Sequence, residues 1–465
     1  MIFSSLTFLI IFLPIVFVLY SGRNNNIWKN GVLMITSLLF YAWGGVSYSV
    51  VLILSILLNF FIGRKVRGHN KKWLIAGIVL NLLILITFKY AGFFIENISA
   101  LLQLNIKKIN IPLPLGVSFF TFHGISFLTD IYRSEKREPI RLDETTLYIC
   151  FFPQLVAGPI IRYHDIIYQI RTRTITLLGV NTGIQRFILG LFKKVVIANT
   201  AGALADQIMN VNAELLSSPA AWLGILAYTV QIYYDFSGYS DMAIGLGSMF
   251  GFKIPENFNY PYIASSIQEF WRRWHISLST WFRDYVYIPL GGNRKGKFRT
   301  YFNLSIIFIL TGFWHGATWS FVFWGVFHGF FMIMERLFLG DILKKIPAFA
   351  GWIYTMLVVM IAWVFFRIET FDAALDYVKL LFSFKGEGIT LLENLDIEKI
   401  MVLTIAILFS MPFYPKLVEK LEVPSTRLSS AFLFVRMNIL IPLLFLYSVM
   451  VLCGSTYNPF IYYRF

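Results

Sequence analysis

The side chains best suited to chemistry are concentrated between Glu269 and His315, inside an otherwise apolar sequence. The stretch opens with Glu269-Phe270-Trp271-Arg272-Arg273-Trp274-His275 and continues through Trp281-Phe282-Arg283-Asp284-Tyr285 and Gly291-Gly292-Asn293-Arg294. It ends in an apolar run carrying Thr311-Gly312-Phe313-Trp314-His315-Gly316-Ala317-Thr318-Trp319. Histidine suits proton transfer because its reference pKa, about 6.5, lets a neutral ring take up a proton at physiological pH and return it. An ionisable group inside an apolar span is costly unless it faces a cavity or a partner, so His315 reads as functional. A structural histidine bonded to a neighbouring helix is the alternative. Gly312 and Gly316 share the spacing that lets another helix approach closely, and Thr311 and Thr318 supply polar neighbours on the same helix face.

Helical spacing from Trp271 to Ile288 gathers Trp271, Trp274, Leu278, Trp281, Phe282 and Tyr285 on one face and Arg272, Ser279 and Arg283 on another, with His275 at the seam. Two readings stay open. One is an interfacial helix with indoles at the headgroup level; the other is a helix lining a polar cavity, its arginines and the following Asn293-Arg294-Lys295-Gly296-Lys297 holding an anionic donor. Asp235-Phe236-Ser237-Gly238-Tyr239-Ser240-Asp241 places two carboxylates in another span, where they are expected to cap a broken helix or orient a partner. His328, expected on a different helix face from His315, and His123, His164 and His69 read as satisfied structural residues. Gly245-Leu246-Gly247 with Gly251 misses the dinucleotide-binding spacing. There is no GxxxxGK[ST], HExxH or GxSxG motif and no Cys/His cluster with zinc spacing, which argues against a self-contained ATPase, metalloprotease or serine hydrolase and against a metal site.

These segments must be held by membrane helices. Of 465 residues, 57% are hydrophobic and 14% charged, too little polar surface to clothe a soluble globule. Apolar runs able to cross a hydrocarbon core recur near residues 2–20, 31–45, 48–63, 73–95, 113–131, 179–200, 219–245, 303–337, 350–366, 399–413 and 434–453, about ten to twelve spans in all. Residues 145–161 suggest a shorter or re-entrant piece. Met1 to Tyr20 lacks a basic start and a small-residue cleavage site and reads as a retained span. Arg133 to Glu144, Ile254 to Ser266, Gly291 to Arg299 and Glu387 to Lys399 read as loops. With no internal repeat and no long linker, one integral-membrane domain over 1–465 is expected.

Arg23 and Lys29 follow the first span, and Arg64, Lys65, Arg67, Lys71 and Lys72 follow the third, so both loops are expected inside and Met1 outside. A net charge of +15 is then explained by inner loops beside anionic lipid, without nucleic acid. Cys150 and Cys453 lie in apolar surroundings and suggest no disulfide.

Asp235 to Asp241, Pro255-Glu256-Asn257-Phe258, Phe270 to Ser279 and Gly312-Phe313-Trp314-His315-Gly316 together resemble the signatures of membrane-bound O-acyltransferases. The branch resembled most is the bacterial one that contains alginate and peptidoglycan O-acetylation proteins and, further away, the D-alanyl transfer protein of teichoic acid synthesis. Met1 to Ser5, Phe40 to Gly44 and Pro459 to Phe465 extend the similarity over essentially the whole chain. The resemblance implies an all-α polytopic protein of the bacterial cytoplasmic membrane. Tilted helices, with re-entrant or interfacial ones, form a ring around a central funnel.

It further implies that His315 is the general base toward an acceptor hydroxyl and that His275 orients, relays a proton or binds donor. Arg272, Arg273, Arg283, Asn293 and Arg294 contact donor phosphates, and Asp235, Ser237, Asp241, Trp271, Trp274, Ser279, Thr311, Trp314 and Thr318 line the cavity. Acetyl-CoA is the expected donor substrate, with no tightly bound cofactor. A separate extracytoplasmic protein resembling an SGNH-type acyltransferase or esterase is the expected partner, and a polysaccharide the final acceptor. Aminoacyl transfer from a carrier protein to teichoic acid is the alternative, followed by a proton-coupled transporter or flippase and a non-catalytic scaffold.

Overall fold

Helices carry the chain because backbone N–H and C=O groups in hydrocarbon must be satisfied within their own segment. A computed structural model describes every residue except 105, 107–110, 137, 391, 414–417, 419–426 and 462–465. Tyr462 to Phe465, counted in the resemblance above, thus lie outside the described residues. Among the described residues there is no β-strand, and six helices are long and apolar enough to cross a membrane: Val46–Val66, Lys71–Leu101, Leu177–Met209, Trp319–Leu343, Ala348–Arg367 and Ala431–Gly454.

Several expected spans are shorter. Asn26–Ala42 and Val117–Arg133 have 17 residues each, Ile397–Phe409 has 13, and Thr7–Ser21 is a short apolar helix. Residues 145–161 fall in two pieces, Leu142–Cys150 and Phe152–Leu155, separated at Phe151. Two expectations are overturned. Residues 303–337 form two helices, Gly296–His315 and Trp319–Met334, so His315 ends a helix instead of sitting in the middle of one, and His328 lies on a different helix altogether. The carboxylates at Asp235 and Asp241 do not break a helix, because Ser218–Met249 runs uninterrupted for 32 residues.

The chain packs as two compact units. The first comprises Met1–Ile184 with Met242–Pro255, and the second Gln185–Asp241 with Glu256–Phe465. Polar knots fix the first unit. Asn59 and Asn81 exchange amide hydrogen bonds at 2.9 and 3.1 Å beside Gly124, where a Cβ would stand 2.5 Å from Asn81 Oδ1. The Arg173 guanidinium donates to Asn30 Oδ1 at 2.6 Å and to the Tyr20 hydroxyl at 3.1 Å. In the second unit the interior is dense with aromatic rings: Trp324, Trp363, Phe270, Trp271 and Trp274 are all buried. Such rings contribute large buried area and contact one another edge to face, as Trp271 does Trp324, or stacked, as Phe270 does Trp274.

Candidate active site

Within the second unit, the hairpin of Gly296–His315 and Trp319–Met334 sets the position of His315. The turn is opened by Gly316, whose backbone is extended (φ −172°, ψ 159°), and closed by Thr318, also extended, ahead of Trp319. The two helices meet at Gly312 and Gly325. A Cβ on Gly312 would stand 2.4 Å from the Phe321 carbonyl oxygen, and one on Gly325 2.3 Å from that of Phe308, so only glycine allows this approach. Thr311 donates to the Ile307 carbonyl at 2.7 Å, whereas Thr318 lies beyond the helix end. The expected common helix face for the two threonines is therefore replaced by a turn. At the hairpin tip the His315 ring is 3% exposed and contacts Trp314, Trp324 and Phe366 at centroid distances of 4.8, 5.0 and 4.9 Å.

The basic, tryptophan-rich segment is two short helices, Ile267–Arg273 and Ile276–Phe282, and not the continuous helix its spacing suggests. The break is at Trp274 and His275, the latter in the left-handed region at φ 44°. Few non-glycine residues accept that conformation without compensation. Here Asn257 supplies it. Its Oδ1 accepts from the Ser277 N–H at 3.2 Å and the Ser277 hydroxyl at 2.8 Å, and lies 3.1 Å from His275 Nδ1. A backbone N–H can only donate, so this Asn257 atom is the oxygen and His275 Nδ1 carries the hydrogen. His275 Nε2 is left as a buried acceptor with no hydrogen-bond partner. Burial lowers the His275 pKa to about 3, which keeps the ring neutral at physiological pH. The Trp314 ring contacts both histidines, at 5.8 Å from His275 and 4.8 Å from His315.

The carboxylates of the long helix Ser218–Met249 are neutralised by charges on Leu177–Met209. Asp235 Oδ1 lies 2.7 Å from Lys194 Nζ, both side chains being 2% exposed, and Asp235 Oδ2 accepts from the Ile461 N–H at 3.0 Å. Lys194 also donates to Asn199 Oδ1 at 2.9 Å and to the Pro459 carbonyl. Asp241 is bound by Arg186 at 2.8 Å and Lys193 at 2.6 Å. The Asp235–Lys194 pair thus anchors residues 459–461, and Ser237 is buried on the same helix.

A cavity of about 250 Å³ adjoins the hairpin tip, with Gln231, Thr318, Phe321, Phe366, Arg367 and Phe460 among its walls. His315 is joined to it through Gly316, its chain neighbour, and Phe366, its ring neighbour. Arg367 pairs with Asp206 at 2.6 Å in the same wall. Of the residues expected to line a cavity, Thr318 does so. Trp271 packs on Phe308, Trp324 and His328, Trp274 on Trp363 and Phe258, and Ser279 is half-buried outside it.

None of the expected donor-binding residues lines this cavity. Arg273 is held by Glu269 at 2.9 Å and the Asn259 carbonyl at 3.1 Å, and Arg283 by Asp284 at 2.7 Å. Arg272, Asn293 and Arg294 are exposed, with Asn293 accepting from Arg336 at 3.4 Å. The residues that sequence reasoning passed over are Asn257, Lys194, Gln231, Phe366 and Arg367. Asn257 stood in a quoted motif, but nothing in its spacing points to His275; the others have no local signal.

The model of the MBOAT, membrane-bound O-acyltransferase family matches residues 72–371. The chain is 38% identical to the probable alginate O-acetylase AlgI of Pseudomonas putida over 100% of both proteins. It is 36% identical to the peptidoglycan O-acetyltransferase of Helicobacter pylori, covering 83% of this chain and 80% of that protein. It is 31% identical to the teichoic acid D-alanyltransferase of Bacillus subtilis, over 48% of this chain and 59% of that protein.

Proposed function

The chain belongs to the membrane-bound O-acyltransferase family, and from that premise we propose that it transfers an acetyl group from cytoplasmic acetyl-CoA to a hydroxyl presented on the outer side of a bacterial cytoplasmic membrane. The observation that carries the site assignment is the contiguity of His315, through Gly316 and Phe366, with a cavity whose walls also include Thr318, Gln231 and Arg367. In the reaction the acceptor oxygen attacks the thioester carbonyl carbon while a His315 ring nitrogen takes the hydroxyl proton. The tetrahedral intermediate collapses with cleavage of the C–S bond, and the imidazolium returns its proton to the departing thiolate. Ester and free thiol are the products.

His275, neutral and with a bare Nε2, acts as the second polar group of the reaction path, accepting a hydrogen bond from donor or acceptor. The exposed Arg272 and Arg294 are proposed to meet donor phosphates, where guanidinium geometry suits bidentate binding. The basic loops after the first and third spans face the cytoplasm in this reading, with Met1 outside. The acceptor hydroxyl belongs to a separate extracytoplasmic protein or to a polysaccharide.

Purified protein in liposomes, given radiolabelled acetyl-CoA with and without an extracytoplasmic SGNH-type partner, tests the proposal. Thiol release coupled to labelled ester, lost in His315→Ala, is the expected result; thiol release that persists in a folded His315→Ala overturns the role of that residue. The similarity to a teichoic acid D-alanyltransferase favours aminoacyl transfer as a second reading, distinguished by cleavage of an aminoacyl carrier-protein thioester in place of acetyl-CoA. Substrate movement without donor cleavage would instead favour a transporter, and partner recruitment unaffected by His315→Ala without any turnover a scaffold.

A further inference from the structure

Asn257 holds His275, yet it stands in a segment with little structure of its own. Residues 256–260 form no helix, and their backbone is laced to the very break they support. The Asn257 carbonyl accepts from the Ile276 N–H at 3.0 Å, and the Asn259 N–H donates to the Arg273 carbonyl at 2.9 Å. Two irregular segments that lean on each other drift together unless something outside them fixes one of the two.

The outside references come from adjacent positions of one long helix, Ser218–Met249. The Ser240 hydroxyl oxygen accepts from Asn257 Nδ2 at 3.1 Å, both side chains being buried. Next to it, Asp241 Oδ1 accepts from Arg186 Nε at 3.0 Å and Nη2 at 2.8 Å, while Arg186 Nη1 and Nη2 donate as a fork to the two oxygens of Glu256. Arg186 thereby bridges the long helix to the residue before Asn257. Lys193 donates to the other Asp241 oxygen at 2.6 Å, so the cluster balances two cations against two carboxylates. Asp241 is 13% exposed and needs its partners, whereas Glu256 is 54% exposed and water alone could satisfy it. What the fork gives Glu256 is a fixed direction, and charges joined in a network are the exception to the weakness of exposed pairs.

We infer that Glu256 is a positioning residue for His275: clasped by Arg186, it keeps Asn257 Oδ1 within hydrogen-bond reach of His275 Nδ1. That bond, at 3.1 Å, is already near the long end of the useful range, so a small shift of the loop breaks it. Glu256 acts through Asn257 and not on the reacting atoms. For its effect on turnover the inference rests on the acyl-transfer reading.

The test uses the full chain in liposomes. Glu256→Ala trims an exposed side chain and leaves Asp241 both of its cations, so its Tm is expected to stay within about 3 °C of wild type. Histidines are labelled with nitrogen-15, and the His275 signals are identified by their absence from His275→Gln. Wild type is expected to show one tautomer with the hydrogen on Nδ1, and Glu256→Ala a mixture of the two. Maximal thiol release from acetyl-CoA falls about fivefold to tenfold in Glu256→Ala, with the half-saturating acetyl-CoA concentration within about twofold of wild type. In an Asn257→Ala background the same substitution costs less than about twofold, because the restraint it passes on is already gone. A single Nδ1–H tautomer in Glu256→Ala overturns the inference. So does an unchanged maximal rate, or an equal fold-loss in both backgrounds. If Glu256→Ala does not fold, Glu256→Gln, which keeps the size but offers the fork one accepting oxygen, is put to the same measurements. Absence of thiol release by wild type from any thioester refutes the acyl-transfer reading instead, and the nitrogen-15 spectra still decide whether Glu256 holds the ring.

Discussion

Asn257 fixes the tautomer of His275: by accepting the Ser277 N–H at 3.2 Å, its Oδ1 obliges the His275 Nδ1 at 3.1 Å to carry the hydrogen. The basic lone pair is thereby placed on Nε2. Asn257→Ala removes the acceptor of three hydrogens, those of the Ser277 N–H, the Ser277 hydroxyl and His275 Nδ1, and frees the ring to take either tautomer. Acyl transfer is expected to fall roughly 10- to 100-fold, less than the roughly 100- to 10,000-fold that losing a general acid or base outright costs. Asn257→Asp accepts the same three hydrogens and is expected to retain more activity than Asn257→Ala. Equal losses in both variants, with both folded, would exclude tautomer control.

Burial of His275 has a pH consequence. Its pKa is lowered from 6.5 to about 3 in the folded protein, so between those values the unfolded chain binds more protons than the native one. Stability contributed by this residue is therefore complete above pH 6.5 and declines as pH falls toward 3. Thermal melts of wild type and His275→Gln at matched pH values check this. The difference in Tm between neutral and mildly acidic buffer is expected to shrink in the variant; an identical pH dependence would show that the histidine does not supply it.

Lys194 and Asp235 form a desolvated ion pair that also anchors residues 459–461 at the cavity wall. Removing one partner leaves an uncompensated buried charge, so Lys194→Met is expected to cost about 3–5 kcal/mol. The double variant Lys194→Met/Asp235→Leu recovers much of that loss, less the penalty of leaving the Ile461 N–H without its acceptor, about 1–3 kcal/mol. Unfolding of the single and double variants in detergent measures the coupling. Additive losses would mean the pair is not coupled.

The physics of single segments was legible in the sequence, and the physics of paired segments was not. Apolar length announced the membrane helices and the cost of a buried charge singled out His315, because both depend on residues adjacent in the chain. The turn after His315 was missed because Gly316 to Thr318 is too short and too apolar to interrupt a hydropathy run, although it reverses the helix. Asp235 and Asp241 do not cap a broken helix, and the sequence hides why: their neutralising partners, Lys194, Arg186 and Lys193, lie about 40 or more residues earlier in the chain. The break at His275 was hidden for the same reason, since the acceptor that holds it is on Asn257.

Close helix approach at Gly312 and Gly325 is the feature most sensitive to a single methyl group. With backbone carbonyls 2.4 and 2.3 Å from the added carbon, neither position can relax by rotating a side chain. Gly325→Ala is expected to cost about 1–3 kcal/mol and to lower transfer by displacing the hairpin tip that bears His315. Gly31→Ala, where nothing lies within 4 Å of the added carbon, is the matched control and is expected to be neutral or slightly stabilising within its helix. Thermal melts and transfer rates of the two variants side by side provide the check; equal behaviour would show that the hairpin tolerates separation.

Phe366 lines the cavity and touches His315, with its ring 4.9 Å from the imidazole and 5.1 Å from Phe321. An aromatic ring there shields His315, the proposed general base, from water and adds to the surface on which an acceptor would rest in that proposal. Trimming it to leucine keeps the site apolar but thins the screen, so water competes better with the acceptor for the acyl group. Phe366→Leu is expected to raise the ratio of thiol released to ester formed several-fold while the rate of ester formation declines. The two products are measured in one reaction from doubly labelled donor, which makes the ratio independent of how much protein is active. A ratio equal to that of wild type would mean that Phe366 is packing alone and that water is excluded from His315 by another element of the fold.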